Sequence, residues 1–160
     1  MTEFSPETSA TGGRYLVIAA RFNAWITERL AAGAVARLKE LGAGPDDIDT
    51  AWVPGSFEIP QAARAAAESG RYGGIVCVGA VIRGETTHHE HVAAGCVAGL
   101  QSVMQDTGIP VGFGVITADD FGQAEARSQP APGRNMGADA ASAAVEMASL
   151  LGRIRKGNQE

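Results

Sequence analysis

The stretch GGIVCVGAVIRGETTHHEH, residues 73–91, joins an apolar run, a glycine loop and the start of a helix. Residues 73–80 have the length and the Val/Ile content of a strand buried on both faces, with no polar residue alternating in. Beyond Gly84 the character changes. Threonines and histidines lead into a stretch, about 87–107, where Val92, Cys96, Gly99 and Val103 recur as along one side of a helix. A buried strand followed by a helix is the repeating unit of a parallel sheet.

The same unit recurs on either side. Tyr15–Ala20 (YLVIAA) reads as a strand; Asn23 can cap the helix that follows, with Ile26, Leu30, Ala34, Leu38 and Leu41 on its inner face. Gly42 and GAGPDD end that helix, Ile48–Val53 (IDTAWV) is a second strand, and the alanine-rich 59–69 is helical. Residues 110–117 (PVGFGVIT) form a fourth strand. Asp119 or Asp120 can cap a short helix toward Arg127, and SQPAPGRN is a loop. A last helix spans 137–155, with Ala141, Ala144, Val145, Ala148, Leu151 and Ile154 inward. Four strands alternating with helices predict one α/β domain, a four-stranded parallel sheet with helices on both faces. The domain is expected over 14–160, preceded by a polar, disordered lead-in at 1–13. In such a sheet the ligand crevice lies beyond the carboxyl ends of the strands. That directs attention to Arg21-Phe22-Asn23, to 54–58, to 80–91 and to the end of strand four.

Composition narrows the function. The 160 residues carry a net charge of −5, which argues against nucleic acid as the main partner, because phosphate-backbone binding needs a Lys/Arg surplus. Arg153, Arg155 and Lys156 read as a solvated helix end complementing its dipole. No run is long and apolar enough for a bilayer, and the polar start MTEFSPETSATG lacks the pattern of a secretory signal. Cys77 and Cys96 sit in apolar segments without metal-like spacing and read as reduced core thiols of a cytoplasmic protein.

Several constellations can carry chemistry. Gly84 allows a tight turn, and Glu85, Thr86, Thr87 and the helix start offer hydroxyls and unpaired N–H groups to a phosphate; the bland alternative is an ordinary cap. His88 suits general acid/base work, because imidazole changes charge near neutral pH. His88 and His91 stand three apart, so a metal reading exists, but the segment is not HExxH. His89 and His91 read as a partly exposed helix start or a subunit contact. Ser56, Phe57 and Glu58, after Pro54-Gly55, suit a polyol, with Glu58 accepting hydroxyl protons; they equally suit a helix cap. Phe22 at a strand end can stack on a flat heterocycle or simply pack. The same choice holds for Phe113, and Arg127 is either a phosphate partner or a solvated arginine.

Taken as ordered strings, ARFNAWIT (20–27), AWVPGSFEIP (51–60), GAVIRGETTHHEHV (79–92), PVGFGVIT (110–117) and NMGADAASAAVEMA (135–148) resemble the lumazine synthase family over nearly the whole chain after Arg14. The resemblance implies a flavodoxin-like three-layer fold and a pentamer, or a shell of pentamers, with sites at subunit interfaces. It implies a reaction without cofactor or metal, in which 5-amino-6-(D-ribitylamino)uracil condenses with 3,4-dihydroxy-2-butanone 4-phosphate to give 6,7-dimethyl-8-ribityllumazine, phosphate and water. Carried over by position, Phe22 stacks on the pyrimidine, and Ser56, Phe57 and Glu58 hold the ribityl chain. Ala80, Val81 and Ile82 meet the ring through backbone groups, Glu85 and Thr86 bind phosphate through theirs, and His88 shuttles protons. Phe113 and Arg127 reach in from a neighbouring subunit.

Three places depart from the family pattern. Met136 stands where many members have a lysine near the substrate phosphate, and Arg134 is the candidate substitute. His89 and His91 replace residues that are usually aromatic. Pro130 and Pro132 lie in 128–134, the loop that shapes contacts between pentamers in the family.

Overall fold

The computed structural model describes residues 1–157. Its elements are β1 (Tyr15–Ala20), α1 (Ala24–Glu40), β2 (Ile48–Val53), α2 (Ile59–Glu68), β3 (Gly74–Ile82), α3 (His88–Thr107), β4 (Val111–Ala118), α4 (Phe121–Ala126) and α5 (Met136–Lys156), with single 3-10 turns at Pro45–Asp47 and Ser56–Glu58. The four strands form one parallel sheet in the order β2-β1-β3-β4. This is the expected three-layer α/β architecture, consistent with a flavodoxin-like fold.

Strand chemistry and sheet position agree. All six residues of β1 are buried, because β2 and β3 flank it and helices cover both faces. Its odd and even positions feed two cores. Tyr15, Val17 and Ala19 join Val76, Val78 and Ile116 under α1 and α5. Leu16, Ile18 and Ala20 join Ile75, Cys77 and Val115 under α2 and α3. Each fully buried Leu or Ile contributes about 1.5–3 kcal/mol relative to exposure. At the sheet edges the strands are half covered, and Trp52 of β2 and Phe113 of β4 stay exposed.

Element ends differ from expectation for local reasons. β3 runs two residues past Ala80, because Val81 and Ile82 still pair with Thr117 and Ala118 of β4. Asn23 does not cap α1 with its side chain; it adopts the left-handed conformation (φ 61°) and donates its amide to the Ala80 carbonyl at 2.8 Å. Ser56 and Glu58 likewise make no side-chain cap. Asp120 and Asn135 do cap, accepting from the backbone N–H of Gln123 and Ala138. On α3, Leu100 is buried with Cys96 and Val103, while Val92 and Gly99 are only partly covered. Ile154 of α5 is exposed, not inward, because the buried stretch of that helix ends at Val145 and its last turns run past the core.

Residues 1–14 carry no helix or strand. Ala10 is buried and its N–H donates to Leu41 O, while Arg153 of α5 holds the Ser5 carbonyl and the Glu7 carboxylate. Among the described residues, no helix is long and apolar enough to cross a membrane.

Candidate active site

A crevice of about 290 Å³ opens where the carboxyl ends of β1, β2 and β3 meet the start of α3. It is the topological switch point of the sheet, since the chain runs from β1 to β2 on one side and then crosses back from β2 to β3 on the other side of β1. Phe22 and Asn23 form one wall, the turn at 54–58 the second, Ala80, Val81 and Ile82 the floor, and His88 with Val92 the third.

The walls are held by backbone bonds. The N–H groups of Arg21 and Phe22 donate to the carbonyls of Val53 and Pro54, tying the turn after β1 to the turn after β2. Asn23 ties the same turn to β3 through Ala80. A side chain at Gly79 would collide with the Ser56 hydroxyl, so glycine there lets the 3-10 turn lie directly on the strand. Gly95 of α3 makes room for the Phe57 ring in the same way.

The chemistry of the lining is mixed. Phe22 is 72% exposed and Phe57 61%, two aromatic faces open to a flat or polyol ligand. Ser56 is 5% exposed, and no other group among the described residues hydrogen-bonds its hydroxyl. The little of Ser56 that is exposed includes this hydroxyl, which faces the crevice it lines and can meet a ligand. The Glu58 carboxylate and the His88 imidazole also have no hydrogen-bond partner among the described residues, so both are available to a bound molecule. Eight of the residues singled out in the sequence line this one space: Phe22, Ser56, Phe57, Glu58, Ala80, Val81, Ile82 and His88.

The others stand elsewhere in the chain's own fold. Glu85 and Thr86 sit on the exposed loop leading into α3, outside the crevice lining. The Thr86 hydroxyl accepts from the His88 N–H at 3.4 Å, and Thr87 does not cap α3 with its side chain. Phe113, on the outer edge of β4, borders a separate apolar hollow with Val97, Leu100 and Met104. The end of β4 contributes nothing to the crevice, contrary to what the strand-end rule suggested, because β4 lies on the far side of β3. Arg127 donates to the Gln123 carbonyl at 2.8 Å at the end of α4. Its own carbonyl accepts from the Met136 N–H, so the two positions are neighbours. Met136 packs partly buried against the core under α1 and α5. Arg134 is exposed and lies with Arg29 and Arg37 in a groove beside α1. Asn23, Pro54 and Gly55 line the crevice from segments the sequence pointed to without giving them a role in binding, and Val92 lies just outside those segments. For Asn23 the available signal was the tolerance of asparagine for left-handed backbone; nothing in the local sequence pointed to Val92. Among the described residues, no three His, Cys, Asp or Glu side chains converge as metal ligands.

One comparison bears on identity. The family model described as 6,7-dimethyl-8-ribityllumazine synthase matches residues 12–152, which include every element of the sheet and most of α5.

Proposed function

The chain belongs to the 6,7-dimethyl-8-ribityllumazine synthase family, transferases of riboflavin biosynthesis, and from that premise we propose that the crevice at the strand ends is its active site. There it joins 5-amino-6-(D-ribitylamino)uracil to 3,4-dihydroxy-2-butanone 4-phosphate. The observation that carries the assignment is one space of about 290 Å³ lined by two open aromatics, a serine hydroxyl, a carboxylate and an imidazole, the last three without a hydrogen-bond partner among the described residues.

In this reading the pyrimidine stacks on Phe22 and is met by backbone groups of Ala80, Val81 and Ile82. The ribityl chain runs along Ser56, Phe57 and Glu58, whose carboxylate accepts hydroxyl protons. The butanone phosphate sits with its phosphate toward the N–H groups of Glu85 and Thr86 at the start of α3. The amine of the uracil attacks the ketone, and water leaves as the imine forms. Phosphate then departs by elimination, and ring closure expels the last water. Each step moves a proton, and His88 is the group that takes and returns it. The remaining acceleration comes from holding two substrates side by side.

The crevice is open on one side, and Phe113 and Arg127 do not line it within one chain. We assign them to the crevice of a neighbouring copy, so that the working unit is an oligomer, a pentamer or a shell of pentamers, in the cytoplasm. Arg134 is the candidate second cation for the phosphate in place of the lysine absent at Met136. Mixing the purified protein with both substrates and following lumazine fluorescence tests the function. Product formation above the uncatalysed rate is expected, and its absence would end the proposal.

A further inference from the structure

We infer that His89 is a positioning residue that holds the turn at 84–87 in its working shape, an inference that rests on reading this turn as the seat of the phosphate. The Nδ1 of His89 lies 3.1 Å from the Thr86 carbonyl oxygen. A carbonyl only accepts, so this ring nitrogen carries the proton and donates. The usual device for ordering a helix start is idle here, because the Thr87 side chain makes no cap. His89 replaces it from inside the first turn of α3, reaching back three residues.

The consequence is directional. The peptide unit is planar and trans, so the Thr86 C=O and the Thr87 N–H point in opposite directions. Fixing the carbonyl on the His89 ring therefore fixes the adjoining N–H facing away from that ring. It also steadies Thr86, whose hydroxyl accepts from the His88 N–H. One hydrogen bond thus anchors Thr86, whose own N–H is one of the two assigned to the phosphate, and with it the backbone of the proton-transfer residue. The neighbouring histidines do not share the role. The His88 ring lines the crevice, and the His91 ring is exposed without a hydrogen-bond partner among the described residues.

The test compares His89→Ala, which removes the donor, with His89→Asn, whose amide nitrogen is as many bonds from Cα as Nδ1. His89→Ala is expected to raise KM for the butanone phosphate and to weaken competitive inhibition by inorganic phosphate, each about five-fold. KM for the ribitylaminouracil and the melting temperature stay close to the unsubstituted protein, and His89→Asn restores both phosphate readouts. Unchanged kinetics in His89→Ala, an equal rise in both KM values with a lower melting temperature, or failure of His89→Asn to restore binding each overturns the role. Inorganic phosphate that does not compete with the butanone phosphate in the unsubstituted protein overturns the phosphate reading itself, whatever His89→Ala does.

Discussion

His88 and Asn23 show how differently single residues can serve one crevice. The His88 imidazole is unpartnered among the described residues, so its loss removes chemistry and little packing. His88→Ala is expected to lower kcat on the order of hundred-fold, the low end of the usual range for a general acid/base, with substrate positioning left intact. Stopped-flow or steady-state fluorescence at saturating substrates reads it, and an unchanged kcat would remove the proton-transfer role. Asn23 acts through backbone: its side chain bonds Ala80 while its φ of 61° sits where a methyl side chain is strained. Asn23→Ala is therefore expected to destabilise more than Asn23→Gly, by about 1 kcal/mol, because glycine tolerates the conformation and alanine does not. Both lose the amide. Equal melting temperatures for the two variants would show that the left-handed turn carries no strain. That Phe22, Ser56–Glu58 and His88 belong together was legible in the sequence, since strand-end residues converge in any parallel sheet. The bond from Asn23 to Ala80 was not, because it spans 57 residues and depends on how far β3 extends.

At the scale of elements, close approaches set what can be changed. Gly112 of β4 lies against the Ala140 carbonyl of α5, and a Cβ there would overlap it. Gly112→Ala is expected to destabilise by about 1–3 kcal/mol, since backbone carbonyl cannot move aside as a side chain can. Thermal denaturation checks it. The amino ends of β1 and β2 and the residue pair before β3 are joined by Asp49, which accepts from Tyr72 at 2.7 Å and Arg14 at 2.9 Å and pairs with Arg71. The Tyr72 hydroxyl first, then Arg14, hold its pKa below the ordinary 3.8. A lowered folded-state pKa means that its stabilisation is present above about pH 3.8 and lost as pH falls through the lowered value. Asp49→Asn should thus lower the melting temperature at neutral pH and flatten its fall in acid; parallel acid limbs in the two proteins would contradict it. Burial on β3 and α3 pushes the Cys77 thiol far up and the Cys96 thiol up to about 11. The element order was readable because each strand is an unbroken apolar run. The ends were not, since pairing partners such as Thr117 and Ala118 decide where β3 stops.

For the whole molecule, the crevice at three strand ends and the absence of Phe113 and Arg127 from its lining lead to a mixing experiment. If a neighbouring copy supplies Arg127, His88→Ala and Arg127→Ala chains co-assembled from denaturant form some sites with both residues intact. Activity above that of either variant alone is expected; activity no higher than the average of the two would place both residues in one chain's site. Light scattering then separates a pentamer from a shell.

The sequence by itself determined the alternation of strand and helix, the parallel sheet and the membership of the family, because apolar periodicity and long ordered strings are local properties of the chain. Tertiary structure decided the rest. It brought residues from 22 to 92 around one space, made Asn23 a strut rather than a cap, and turned Met136 toward the core. It also set Arg134 in a groove with Arg29 and Arg37 of α1. These outcomes depend on which surfaces meet when distant segments pack, and local spacing carries no record of that.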